Sequence, residues 1–163
     1  MEITIRPAKA SDAAECLEIY KYYITETTVT FEEQPPTVSE FENRILRITG
    51  EYPFLIAESE GKTVGYAYLD KYNERSAYRF AADFSVYLDR NLRGAGTGSK
   101  LLKAIEKEAK INGIKNIISI ITEENAASVR FHEKHGFLKR GCMHKIGFKF
   151  GKWLDVLFYQ KTL

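Results

Sequence analysis

Residues 90–102 read RNLRGAGTGSKLL, with Gly94, Gly96 and Gly98 alternating just ahead of an apolar pair. Glycines at this spacing let backbone N–H groups approach a phosphate, and the start of a helix adds a positive dipole end. A nucleoside-triphosphate loop needs Gly-x-x-x-x-Gly-Lys-Ser/Thr, whereas here Ser99 precedes Lys100 and Leu101 follows it, so the order is wrong. A dinucleotide loop needs a third small residue where Ser99 stands and opens the first βαβ unit, while this stretch lies past the middle of the chain. What remains is Arg93-x-x-Gly96-x-Gly98 between a strand and a basic helix, a pyrophosphate cradle or else a tight strand-to-helix turn in front of a solvated lysine face.

The elements on either side make an α/β protein. Downstream, Leu101, Leu102, Ile105 and Ala109 share one helical face while Lys100, Lys103, Lys107 and Lys110 fall on another, which predicts an amphipathic helix from about Gly98 to Lys110. KNIISIIT then reads as a buried strand, Asn125 to His135 as a second helix closed by Gly136, and Leu138–Phe148 and Trp153–Lys161 as two last strands. Upstream, AADFSVYL is a strand, and FLIAES and TVGYAYL flank Glu60-Gly61-Lys62 as a hairpin. TVSE at Thr37–Glu40 is a capping box ahead of a helix burying Phe41, Ile45 and Ile48, with Gly50 at its end. EITIRPA is a first strand. Ser11, Asp12 and Glu15 then open a helix carrying Ala14, Leu17, Ile19 and Tyr20. The result is a mixed sheet with helices on its faces.

A chain of 163 residues can bury one sizeable core, so residues 1–163 are expected to form a single domain. A net charge of +2 gives no reason to expect a nucleic-acid or membrane binder. The start MEITIRPAKASD lacks the apolar region of a leader, and no window approaches the ~18 uninterrupted apolar residues of a membrane span. Cys16 and Cys142 are far apart and in no metal-ligand spacing, which reads as free thiols in a cytoplasmic protein. The HEKH run is one residue short of the zinc-peptidase His-Glu-x-x-His, so no metal is expected.

Arg93-x-x-Gly96-x-Gly98 resembles the acetyl-coenzyme A pyrophosphate loop of the GNAT superfamily of N-acetyltransferases, and NAASVRFHEKHGF, Asn125–Phe137, is similar to that family's second cofactor motif. Three further stretches, TTVTFEEQPPT, RSAYRFAADFSVYL and GFKFGKWLDVLFYQ, resemble the phosphinothricin and methionine sulfoximine acetyltransferases within it. The resemblance implies a mixed, mostly antiparallel sheet of about seven strands flanked by about four helices. It implies acetyl-CoA as co-substrate, a small amine as acceptor, and a homodimer.

Carried over residue by residue, the resemblance places the cofactor on Val86, Tyr87 and Leu88 of the strand, on Arg93, Gly94, Ala95, Gly96, Thr97, Gly98 and Ser99 of the loop, and on Asn125 and Ser128 of the second helix. Direct acetyl transfer needs a neutral amine and a route for its proton. Asp83 is the only acid within AADFSVYL and stands where relatives usually carry Glu, one methylene longer, so a relay through water is expected. A strand-end Asp capping a neighbouring backbone group is the alternative. His132 occupies a position where many members place a Tyr that serves the leaving thiolate and where the phosphinothricin-type relatives tend to carry His, which implies a neutral imidazole bonded to the cofactor or, once protonated, a donor to its sulfur; a surface or packing histidine is the alternative. Asn125 is compatible with both a cofactor contact and an N-cap. For the acceptor, the resemblance points to Phe31, Arg75, Tyr78 and Arg79, the arginines offering bidentate contact to a carboxylate or phosphinate, with solvation as their alternative. Phe31 and Trp153 read by default as core. The function implied is acetylation of the α-amine of an amino-acid-like acceptor of the phosphinothricin or methionine sulfoximine/sulfone type. A protein N-terminus or polyamine acceptor, and a non-catalytic acyl-CoA sensor, are the rivals.

Overall fold

A computed structural model describes residues 1–92 and 94–163; Arg93, assigned above to the pyrophosphate loop, lies outside the described residues. The chain runs β1 (Thr4–Pro7), α1 (Ala13–Glu26), α2 (Val38–Thr49), β2 (Phe54–Ser59), β3 (Lys62–Lys71), β4 (Ala81–Leu88), α3 (Thr97–Ile111), β5 (Asn116–Thr122), α4 (Ala126–Lys134), β6 (Leu138–Lys149) and β7 (Lys152–Thr162). Among the described residues the seven strands form one sheet in the order β1-β2-β3-β4-β5-β7-β6. Every neighbouring pair is antiparallel except β4 and β5. This is the mixed, mostly antiparallel architecture with four helices that the resemblance implies.

Local chemistry accounts for the elements. Thr37 Oγ1 accepts the Glu40 N–H at 3.1 Å and Glu40 Oε2 accepts the Thr37 N–H at 2.8 Å, so the expected capping box starts α2. Glu60 and Gly61 take φ of 52° and 75°, the paired left-handed conformation that lets a two-residue turn follow the twist of β2 and β3. The start of α1 differs from expectation. A short 3-10 turn, Ala10–Asp12, precedes it, and Asp12 accepts from the Arg6 guanidinium at 2.7 and 2.9 Å and from the Lys9 N–H at 2.7 Å instead of capping the helix. The buried face of α1 is accordingly Ala13, Cys16, Leu17, Ile19, Tyr20 and Ile24, with Ala14 exposed. Gly50 ends α2 with a right-handed φ of −65°, so its role there does not use glycine's conformational freedom.

Period-2 alternation divides β2 between two cores. Phe54 and Ile56 meet α1 and α2 on one face, while Leu55 and Ala57 join Leu101, Leu102, Ile105 and Ala109 of α3 on the other. Cys16 is buried and Cys142 exposed, and both are free thiols. None of the described helices is long and apolar enough to cross a membrane.

The sheet opens at its single parallel contact. β4 and β5 pair only at Ala81↔Asn116, Ala82↔Ile117 and Asp83↔Ile118. Beyond that rung β4 stays on β3 as far as Leu88↔Gly65, and β5 stays on β7 as far as Thr122↔Val156. The two halves of the sheet therefore diverge as a V, and the inner edge of Phe84–Leu88 has no strand partner in β5. Backbone polar groups on such an edge must be met by water or by a ligand.

Candidate active site

The mouth of the V is closed by the glycine loop. Gly94 and Gly96 take φ of 67° and 64°, a conformation that costs a residue with a side chain free energy. Gly96 is the N-cap of α3 and supplies no side-chain acceptor, so no cap competes for the first-turn N–H groups; its carbonyl accepts the Lys100 N–H at 3.0 Å. Gly98 serves packing instead, because a Cβ there would come 3.2 Å from the Phe131 ring. Thr97 is 2% exposed, and its Oγ1 is buried with no hydrogen-bond partner among the described residues. An orphaned hydroxyl at an uncapped helix start fits an anion that is bound in the working state.

A cleft of about 400 Å³ leads from this loop into the V, lined by Gly94, Ala95, Gly96, Thr97, Gly98 and Ser99, by Val86 and Leu88, and by Asn125 and Ser128. It continues between the diverging strands past Phe84, Ser85, Ser119 and His132, with Val29, Val86, Asn125 and Ser128 common to both spaces. Most residues expected at the cofactor thus meet in one cavity. The Tyr87 side chain does not: it alternates to the opposite face and packs among Tyr20, Tyr23 and Tyr66, so only its main chain is placed for a ligand in the V. The Ser99 hydroxyl is engaged with His135 Nε2 at 2.9 Å. Asn125 Oδ1 accepts the Ser128 N–H at 3.3 Å and the residue also lines the cleft, so capping and cleft lining coexist.

Three residues of this cavity escaped sequence reading. Tyr23 lines the cleft and its hydroxyl donates to the Leu88 carbonyl, and nothing in an amphipathic helix marks that tyrosine. Val29 belongs to the α1–α2 loop. That loop is held down by Lys149, 2% exposed, whose Nζ donates to the Thr27 and Thr30 carbonyls at 2.7 Å each. Ser119 was the legible one, a lone hydroxyl inside the apolar run of β5.

Ser119 fixes His132. The ring is 3% exposed, walled by Phe84, Phe131 and Phe137. Its Nδ1 lies 2.7 Å from the Ser128 carbonyl, which can only accept, so Nδ1 carries the proton; Nε2 then accepts from the Ser119 hydroxyl at 2.8 Å. Burial holds the imidazole below its ordinary pKa and therefore neutral. The surface alternative for His132 falls away. To donate from Nε2 to a sulfur, this ring would have to gain a proton against burial and give up the Ser119 bond.

Asp83 occupies the last paired rung, the apex of the V. It is half-buried, Oδ1 has no hydrogen-bond partner among the described residues, and burial, followed by the charge of Asp70, pushes its pKa up to about 7. An unbonded Oδ1 does not match the alternative of an Asp capping a backbone group.

The residues expected at the acceptor do not assemble within the chain. Arg75, Tyr78 and Arg79 lie on the exposed β3–β4 connection, a 3-10 turn at Ser76–Tyr78 beside the paired end of β4. Arg79 donates to the Ser76 carbonyl at 3.0 Å and its guanidinium stacks on the Phe80 ring. Phe31 sits beyond the other end of β5. Its ring covers Gly147, where a Cβ would come 2.3 Å from it, and Gly147 pairs with Leu154, past the Thr122↔Val156 rung. The expectation of core packing fails for Trp153, 62% exposed, and only partly describes Phe31, 39% exposed.

The Acetyltransferase (GNAT) domain family is matched over residues 5–158. The chain belongs to this acetyltransferase family. Among its relatives, a phosphinothricin N-acetyltransferase of Streptomyces viridochromogenes is 36% identical over 98% of this chain and 87% of its own length. An L-methionine sulfoximine/L-methionine sulfone acetyltransferase of Salmonella typhimurium is 34% identical over 99% and 95%. The crystal structure of a GNAT phosphinothricin acetyltransferase from Sinorhizobium meliloti, in complex with acetyl-CoA, superposes with a TM-score of 0.95 at 37% identity, covering all of this chain and 89% of that one. His132 and His135 are spent on Ser119, Ser128 and Ser99, and among the described residues no cluster of His, Cys, Asp and Glu could hold a metal ion.

Proposed function

We propose that this GNAT enzyme moves an acetyl group from acetyl-CoA directly to the α-amine of a small amino-acid-like acceptor of the phosphinothricin or methionine sulfoximine/sulfone type. The observation that carries the reading is the V between β4 and β5, closed by an uncapped α3 and the left-handed Gly94 and Gly96, with no partner for the Thr97 hydroxyl among the described residues. Loop amides from Gly94 to Ser99 would hold the pyrophosphate, while the unpaired edge of Val86–Leu88, with Asn125 and Ser128, would hold the extended arm. Bound acetyl-CoA supplies an activated acyl carbonyl and a thiolate leaving group.

The remaining work falls to the chain. Asp83 takes the proton that the acceptor ammonium must lose, through water because its side chain is short. A carboxylate with a pKa of about 7 is a stronger base than an ordinary one and is still about half ionised in neutral solution. His132 holds Ser128 and Ser119 in place at the wall of the V, neutral throughout. Arg75 and Arg79 give the acceptor's anionic group a destination, and a polyamine would find them repulsive.

Residues 1–163 act as one domain in this reading. The free thiols of Cys16 and Cys142 support a reducing, cytoplasmic setting. A homodimer is proposed on β6, an edge strand that exposes Leu138, Met143, Ile146 and Phe148 beside Phe150 and Trp153. Light scattering reads this directly, with a monomer at micromolar concentration as the opposing result. The activity is tested by free-thiol release from acetyl-CoA across a panel of amines. Highest kcat/KM is expected for phosphinothricin and methionine sulfoximine or sulfone. Turnover of peptides or polyamines with none of these amino acids would reject the reading.

A further inference from the structure

Asp83 is not the only carboxylate at the apex. In the β3–β4 ladder Asp70 is its direct partner, one rung beyond Leu69↔Phe84. Partners in a ladder project on the same face of the sheet with Cβ atoms roughly 5 Å apart. The preceding pairs on that face are Tyr68↔Ser85 and Tyr66↔Tyr87, and Tyr66 belongs to the core under α1 and α2, so both carboxylates face the helix α2. There Arg47 grips Asp70 with both arms, Nη1 to Oδ1 at 3.0 Å and Nη2 to Oδ2 at 2.9 Å. The Lys71 N–H adds a third hydrogen bond to Asp70 Oδ1 at 2.8 Å. Asp70 is therefore committed as an anion, with both oxygens turned to its clamp, while Asp83 Oδ1 is buried without a partner.

We propose that the Arg47–Asp70 pair, clamped across the ladder from Asp83, governs how readily Asp83 takes up a proton. Asp70 is a positioning residue in this arrangement, acting on the acceptor only through Asp83, and the inference rests on Asp83 being the base. Two carboxylates on one rung resist simultaneous ionisation, so the committed charge of Asp70 makes its neighbour the more basic of the two. Arg47 limits the effect by neutralising part of that charge, and it stands largely in solvent, where its own reach toward Asp83 is screened. The other charged or titratable groups on this face are spoken for. Tyr68 and Tyr87 are held protonated by burial. Arg44 is paired with Glu32, and Glu32 also accepts from Tyr20. On β5 the rung opposite Asp83 is Ile118, which carries no charge. Among the described residues, Asp70 is the charge that acts on Asp83 together with burial.

The test follows the Asp83 carboxyl carbon by ¹³C NMR in the ligand-free protein, beside the pH dependence of kcat/KM, using the acidic limb that stays in place when acceptors of different amine pKa are compared. Asp70→Asn should lower the Asp83 midpoint by about 1 pH unit, and Arg47→Met, which leaves Asp70 uncompensated, should raise it. Once Asp70 is Asn, Arg47→Met should have little further effect. A role confined to stability would move the melting temperature of either variant and leave both midpoints alone. Unmoved midpoints, or shifts of the same sign in the two single variants, would overturn the proposal. The base assignment fails separately: midpoints that move as expected in the NMR while the kinetic limb persists in Asp83→Asn would leave the coupling standing and remove Asp83 as the base.

Discussion

The two halves of β4 follow one strand geometry and do opposite things. Ala82 and Asp83 are sealed between β3 and β5, while Phe84–Leu88 keeps β3 and loses β5. In the sealed half the ladder is complete and the environment poor in water, which is what lifts Asp83 toward neutrality. In the open half unpaired main chain faces a cleft, ready for an extended ligand. Proton chemistry and cofactor binding are thus separated along one strand by the point at which its neighbour turns away. Substitutions can attack either half without the other.

The sealed half should respond most strongly. Asp83→Asn keeps the shape and removes the proton acceptor, so kcat/KM should fall by about 10²-fold while acetyl-CoA affinity measured by calorimetry stays within about twofold of the parent. Unchanged kcat/KM would make Asp83 structural. In the open half, Gly96→Val forces a β-branched residue to a φ of 64°, at a cost of about 1–3 kcal/mol of strain, and obstructs main-chain approach to an anion. Acetyl-CoA should bind at least about tenfold more weakly to a folded Gly96→Val protein, with calorimetry deciding. If affinity survives, the loop is merely a turn.

Smaller effects belong to the acceptor side. Arg75→Ala and Arg79→Ala should each raise acceptor KM about three- to tenfold with little change in that for acetyl-CoA, the modest size following from the exposure of both residues. Equal KM values in both variants would place the anion-binding group elsewhere. The least effect is on stability, and its sign opposes that on activity. The folded pKa of Asp83, about 7, lies above the roughly 3.9 of an unfolded Asp, so the folded state binds the proton more tightly. That contribution is full below about pH 4 and is lost as the pH rises toward 7. Asn needs no proton. At pH 8 the Asp83→Asn protein should therefore melt higher than the parent by an amount on the order of 1 kcal/mol, discounted because the carboxyl is only half-buried. A lower melting temperature for Asn would show that the carboxylate earns its place structurally.

The sequence by itself determined what depends on neighbours along the chain. The capping box at Thr37, the Glu60-Gly61 turn, the lysine and leucine faces of α3 and the glycine-spaced loop ahead of it all obey rules of a few residues' span, and all were legible. The acid of β4 was legible as the single carboxylate in an apolar strand. Tertiary structure alone decided the rest, because it turns on which distant segments meet. The divergence of β4 and β5 follows from each strand keeping its outer partner, and no local pattern marks Asp83↔Ile118 as the last rung. The same holds for the neutrality of His132, set by Ser119 on another element, and for Lys149 beneath the Thr27–Thr30 loop, a long-range pairing that a charged residue in a strand pattern does not announce. Asp70 lay in plain view as a strand-end acid, and only the register of the β3–β4 ladder puts it beside Asp83, with side chains of like charge on one rung.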